Sequence, residues 1–169
     1  GYNVILRDLQ MAFVNEGLKT IENNLAKMIR QEQLDTKQKE DIIKRIKCST
    51  DLAELKDADL VIESVVENIA VKKQIFAELD NICSPDTILA TNTTTLSITE
   101  IASATKKKHR VLGMHFFNPV TSMKLVELVK GIETSDCTIN IAHDYVNKIG
   151  KKGVVLQKES PGFIVNRIL

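Results

Sequence analysis

The sequence has almost no net charge, no long apolar run, few cysteines and no glycine-rich turn ahead of its first strand. Its 23 Lys and Arg are nearly balanced by 22 Asp and Glu, a formal net charge of +1. That balance leaves no electrostatic footprint for nucleic acid or for an anionic membrane surface. No apolar run reaches the roughly 18–20 residues a spanning helix needs. The start, "GYNVILRD", does not read as a signal peptide, because no basic region precedes a long apolar core. The three cysteines, Cys48, Cys83 and Cys137, are far apart and show neither a CxxC nor a zinc spacing. They read as reduced, mostly buried thiols of a cytosolic protein, and none sits in a motif that would activate a nucleophile. Repeats, low-complexity tracts and long linkers are missing as well.

What is present is ordinary for a soluble globular chain: 169 residues, 43% hydrophobic and 27% charged, enough for a real core. Short β-branched runs alternate with helical stretches. "NVILR" (3–7), "KCST" (47–50), "ADLVIES" (58–64), "TILAT" (87–91), "RVLGMHFF" (110–117), "KLVELVK" (124–130) and "KKGVVLQ" (151–157) read as strands. Val14, Leu18, Ile21, Leu25 and Met28 recur at helical steps, and helices are expected over 34–46, 69–83, the short "ITEIAS" and 135–149. Asp35 or Thr36 can cap the second helix, and Gly150 can end the last. "SPGFIVNRIL" breaks the pattern and starts something new, so residues 1–158 read as one domain and 159–169 as the beginning of another. Alternation of this kind implies an α/β fold, a doubly wound and mostly parallel sheet covered on both faces.

Ligands of such sheets lie beyond the carboxyl ends of the strands. The ends here carry Asp8, Glu63 to Glu67, Asn92 to Thr95, and His115 to Asn118. Single polar strand ends only meet water; several bearing Asp, Glu, Asn, Thr and His together are harder to dismiss. A carboxylate at Asp8 could hold the ribose diol of a dinucleotide, but it should follow a G-x-G-x-x-G turn by about 20 residues. Only seven residues precede it. Either Asp8 is a turn residue, or the sequence starts after the glycine loop. His115 and Glu127 each occupy a position in an apolar run. The short link from Pro119 to Lys124 would let their strands lie side by side and antiparallel. Taken alone, the residues favour a plainer reading, with His115 a core histidine on a backbone carbonyl and Glu127 a solvated edge acid. His109 lies in the basic turn "KKKHR" and His143 in mid-helix, which makes both weaker candidates.

The segments "VILRD", "DADLVIESVVENIAVKKQIFAELD", "ILATNTTTLSITEIASAT", "GMHFFNPV", "MKLVELVKG" and "SPGFIVNRIL" resemble, in order, the NAD-binding domain of the 3-hydroxyacyl-CoA dehydrogenases. Within that family the sequence looks closest to the bacterial 3-hydroxybutyryl-CoA dehydrogenases. HFFNP followed by KLVE is a far more specific signal than a lone glycine motif. The resemblance implies a Rossmann-like sheet that lacks the family's first strand and glycine loop. It also implies a continuation past Leu169 into a helical domain that dimerises and closes over the substrate. The 169 residues by themselves are then expected to bind NAD weakly and to be inactive, because glycine backbone and helix amides carry the pyrophosphate.

By the same resemblance the reaction interconverts a 3-hydroxyacyl-CoA and a 3-ketoacyl-CoA, with NAD carrying the hydride. His115 is the implied base and Glu127 its orienting carboxylate. Thr94 stands where the family has a serine that bonds the substrate oxygen; "NTTTL" replaces Asn-Thr-Ser-Ser-Leu, so the hydroxyl is kept and a methyl is added. Asn166 matches an asparagine that helps hold the substrate carbonyl. Asp8 takes the ribose, and Glu67, Lys72, Asn92 and Asn118 match positions lining the NAD site. Without the resemblance, Lys72 is an unremarkable helix lysine, Glu67 a helix-start acid, the Thr loop a turn and Asn166 a polar helix residue. Arg7 beside Asp8 could favour a 2′-phosphate, but the carboxylate opposes it, so NAD is expected over NADP. Lys19, Lys27 and Arg30 are candidates for CoA, or a solvated helix face. No metal, nucleic acid or membrane partner is implied; an acyl-CoA substrate, a homodimer and a cytoplasmic location are. A domain fused into a fatty-acid oxidation protein and a non-catalytic structural relative are the competing readings.

Overall fold

The computed structural model describes residues 1–163, so Asn166 lies outside the described residues. The chain divides into two compact units, Gly1–Lys56 and Asp57–Leu169.

In the first unit, strand β1 (Val4–Arg7) pairs in parallel with β2 (Ile46–Ser49), with Val4 opposite Ile46. Helices α1 (Met11–Arg30) and α2 (Thr36–Ile43) connect them. Val14 and Leu25 are the buried points of the α1 stripe, and Lys27 and Arg30 in its last turn suit the negative end of the helix dipole. Of the two possible caps of α2, Asp35 is the one used. Its carboxylate accepts from the Gln38 N–H, and the Gln38 side chain accepts from the Asp35 N–H, a reciprocal capping box. The helix ends at Ile43 and not at 46, because the chain must turn there for Ile46 to join the strand ladder. Lys19, Lys27 and Arg30 are all exposed.

The second unit is a five-stranded sheet in the order β3-β4-β5-β6-β7. Its strands are β3 (Leu60–Glu63), β4 (Ile88–Thr91), β5 (Val111–Phe116), β6 (Leu125–Lys130) and β7 (Lys152–Leu156). All neighbours are parallel except β5 and β6, which the short 117–124 link returns antiparallel. Helices α3 (Ile69–Ile82), α4 (Ile98–Ala102) and α5 (Asp136–Lys148) complete it. The body of β4 and residues Val111 to His115 of β5 are buried, as expected for central strands covered on both faces. Ala90, Leu112, Met114, Val126 and Leu128 form one core with Ile139, Ala142 and Val146 of α5.

Side chains alternate along a strand, and register partners share a face. Glu63 pairs with Thr91, Thr91 with Gly113, and His115 with Glu127. The face opposite the α5 core therefore carries Glu63, Thr91, His115 and Glu127. Gly113 lies on it too, where a β-carbon would meet the Ile98 Cδ1 at 2.8 Å. Just before the amino end of β5, Arg110 pairs with Asp80 of α3 at 2.7 Å and donates to the carbonyls of Ser84 and Thr87. Gly150 ends α5 with a φ of 76°, the left-handed conformation that favours glycine. The cysteines depart from expectation: only Cys83 is buried, Cys48 is half-buried and Cys137 is exposed. Cys137 lies off the Ile139–Ala142–Val146 stripe that faces the core, so its helix turns it to water. No helix among the described residues is long and apolar enough to cross a membrane.

Candidate active site

The register of β5 against β6 places His115 directly opposite Glu127. The His115 Nδ1 lies 2.7 Å from the Glu127 Oε2, and the two side chains are only 5% and 1% exposed. A carboxylate accepts hydrogen bonds, so the proton of a neutral imidazole is assigned to Nδ1 and Nε2 is left as the acceptor nitrogen. Two aromatic rings pack on the imidazole. Phe117 lies at 4.4 Å and Phe163 at 5.7 Å between ring centroids, both tilted. The pair is thus a hydrogen-bonded dyad shielded by apolar rings.

Glu67 gathers the loop after β4. One of its oxygens, Oε1, accepts from the Thr93 hydroxyl, from the Thr94 N–H at 2.9 Å and hydroxyl at 3.1 Å, and from the Thr95 N–H at 3.2 Å. Burial raises the Glu67 pKa, but the bonds from Thr93, Thr94 and Thr95 outweigh it and bring the carboxyl down to about 2. Glu67 is therefore not a helix-start acid; Asn68 caps α3 by accepting from the Ala70 and Val71 N–H groups. Lys72, one turn into α3, is no surface lysine. It is fully buried, with its ammonium 2.7 Å from the Glu63 Oε1 and 3.5 Å from the Glu67 Oε2.

Asn92 joins these pieces to the dyad. Its Oδ1 accepts from the Phe116 N–H at 2.9 Å, next to His115, and its Nδ2 donates to the Ser64 hydroxyl at 2.9 Å. Asn118 stands exposed just past β5. In the first unit, Asp8 is exposed at the carboxyl end of β1, where its Oδ1 accepts only the neighbouring Leu9 N–H among the hydrogen bonds of the described residues. An open carboxylate beyond a parallel strand is an acceptor that fits the two hydroxyls of a ribose diol. Arg7 donates from Nε to the Thr50 carbonyl. His109 is exposed and His143 half-buried with the Asn147 amide beside it.

Sequence reasoning did not single out Glu63, Phe117, Glu159 or Phe163. Glu63 was visible only as one of several polar residues at a strand end, and Phe117 only as part of "HFF". Glu159 accepts from the Ser97 hydroxyl and the Thr99 N–H, both at 3.0 Å, which fastens the segment leading to Phe163 onto the start of α4. Nothing in its local sequence announces that contact, because its partners lie some sixty residues away. A separate cleft at the amino ends of β3 and β4 is lined by Asp57, Asp59, Asp86 and Ile141. Its acidic wall is unsuited to an anionic phosphate or CoA group.

The family described as "3-hydroxyacyl-CoA dehydrogenase, NAD binding domain" matches residues 1–160. A 3-hydroxybutyryl-CoA dehydrogenase of Clostridioides difficile is 44% identical over 169 residues, covering 100% of this chain and 60% of that protein. A probable 3-hydroxybutyryl-CoA dehydrogenase of Bacillus subtilis is 41% identical, with 100% and 58% covered. The crystal structure of (S)-3-hydroxybutyryl-CoA dehydrogenase from Ralstonia eutropha superposes with a TM-score of 0.95 at 41% identity, covering 98% of this chain and 58% of that one. The chain thus spans less than two thirds of the length of these relatives.

Proposed function

The chain belongs to the 3-hydroxyacyl-CoA dehydrogenase family, whose matched region is the NAD-binding domain, and on that premise we propose that its protein interconverts (S)-3-hydroxyacyl-CoA and 3-ketoacyl-CoA, with 3-hydroxybutyryl-CoA as the substrate. The observation that carries this reading is the buried 2.7 Å contact between His115 and Glu127. In the oxidative direction the chemistry that bound NAD would supply is a hydride acceptor for C3 of the substrate. His115 takes the C3 hydroxyl proton on Nε2 as the C3–O bond becomes a carbonyl. Glu127 holds the imidazole in the tautomer that leaves Nε2 free to accept, and offsets the charge that the proton brings. In the reductive direction His115 returns the same proton to the carbonyl oxygen.

The Thr94 hydroxyl and the Asn166 amide are assigned to the substrate oxygen. Asp8 is assigned to the adenosine ribose, and Glu67, Lys72, Asn92 and Asn118 to cofactor contacts made by the second unit. The contacts of Lys72 and Asn92 favour a supporting role there, since their polar atoms bond within the protein. Residues 1–158 form the cofactor domain in this reading, and 159–169 begin a second domain through which a cytoplasmic homodimer assembles.

The test is acetoacetyl-CoA-dependent NADH oxidation by the full-length protein beside its His115→Gln variant. A loss of about 10²–10⁴ in kcat is expected for removal of a general acid–base group. Equal rates would take His115 out of the mechanism, and no turnover in the parent would favour a non-catalytic relative.

A further inference from the structure

We propose that Glu63 is a positioning residue for the Thr94 hydroxyl, acting through Lys72 and Glu67. Glu63 ends β3 with its side chain 2% exposed. Its Oε2 accepts from the Thr91 hydroxyl at 2.7 Å, and its Oε1 from the Val65 N–H at 2.6 Å and the Lys72 ammonium at 2.7 Å. One carboxylate thereby ties the end of β4, the loop after β3 and the first turns of α3 together. Lys72 passes the link on: its ammonium also reaches the Val65 carbonyl at 3.4 Å and the Glu67 Oε2 at 3.5 Å. Glu67 ends the chain of contacts, because its other oxygen takes the Thr94 N–H and hydroxyl.

Taking two charges out of water is costly, and apolar residues of similar volume often pack as well or better. What an apolar pair could not do is set the height and rotation of Glu67. Glu67 is about one-third exposed and its Oε1 is fully occupied by the loop, so Lys72 is what anchors its Oε2. The charge balance agrees with this. Two carboxylates face one ammonium: Lys72 donates to Glu63 and forms an ion pair with Glu67. The threonine loop would then follow any movement of Glu63, although Glu63 touches neither Thr94 nor the dyad. This inference rests on the assignment of Thr94 to the substrate oxygen; the chain of contacts itself does not.

The full-length protein and its Glu63→Gln variant are compared first by amide hydrogen exchange, which needs no activity. Exchange at the Thr94 and Thr95 amides is expected to rise about 10-fold in the variant, while the Phe116 amide changes by less than about twofold. Unchanged exchange at Thr94 and Thr95 in folded Glu63→Gln overturns the proposal. If that variant does not fold, Thr91→Val removes one Glu63 contact and is expected to speed the same amides about threefold; no change there overturns it equally. Kinetics then form a double-mutant cycle with Thr94→Val. Glu63→Gln is expected to lower kcat about 10-fold in the parent and to have little further effect in the Thr94→Val background. Full additivity means that Glu63 acts on the fold generally, and overturns the positioning role. A parent without turnover removes the dehydrogenase reading and leaves the exchange result to decide the contacts.

Discussion

Glu127 faces His115 from the register position directly opposite on the antiparallel neighbour, with Oε2 2.7 Å from Nδ1. The antiparallel β5–β6 register makes them direct partners, which puts both side chains on one face of the sheet. Substitution of Glu127 by Gln keeps the shape but can present an N–H to Nδ1, which favours the opposite tautomer and turns Nε2 from acceptor to donor. A fall in kcat of about 10²–10⁴ is expected, with a small change in KM. Steady-state kinetics of the full-length variant check it, and a loss under about fivefold would mean that the carboxylate is not what orients the ring.

Asp80→Asn should damage stability more than activity. Asp80 and Arg110 are 4% and 3% exposed and lie 2.7 Å apart, so the substitution leaves a buried guanidinium without its counter-charge. Arg110 Nε already lacks a hydrogen-bond partner among the described residues, which removes one obvious way to compensate. Breaking a buried pair from one side costs about 3–5 kcal/mol. Urea unfolding of parent and variant measures it; a difference below about 1 kcal/mol would place the pair with ordinary surface bridges.

The sheet was readable because its strands are short, apolar and bounded by turns, and because β4 and β5 are buried on both faces. The dyad was readable for the same reason: a titratable residue inside such a run has few places to go. Glu63 and Lys72 were not readable. Each looks solvated in its own segment, and their burial follows from a contact between the end of β3 and α3 that local pattern does not encode. Lys72 sits on a helix whose apolar positions give no hint that one basic residue joins them. Phe163 and Glu159 were missed because the segment after β7 gains its meaning from α4 and β5, far back in the chain. Cys137 was misjudged because cysteine is usually buried, while the phase of α5 turns this one outward.

Asp8 should set the choice of cofactor. Its carboxylate is exposed at the end of β1, and the Arg7 Nε–H is taken up by the Thr50 carbonyl. The full-length enzyme is expected to favour NADH over NADPH. Asp8→Ser should remove a charged hydrogen-bond acceptor worth about 1.5–3 kcal/mol, raising KM for NADH about 10- to 100-fold. The same change relieves repulsion of a 2′-phosphate, so KM for NADPH should fall or stay level. Equal kcat/KM for the two cofactors in the parent would remove Asp8 from this role.

Acid should weaken the protein through Glu67 in a definite direction. Its carboxyl titrates near 4.5 when unperturbed and is brought down to about 2 in the folded chain. Between those values the unfolded state binds the proton and the folded state does not, so stability rises with pH across that window. The contribution is complete above about pH 4.5 and is lost as the pH falls towards 2. Asp80 and Asp136 are also lowered, so the parent alone would show a summed slope. The difference between the parent and Glu67→Gln isolates the one group, because Gln does not titrate. That difference, from urea unfolding at several pH values, should grow from near pH 2 to pH 4.5 and then level off. A difference independent of pH would mean that the threonine loop binds the amide as well as the carboxylate, and that the charge of Glu67 does not hold the loop in place.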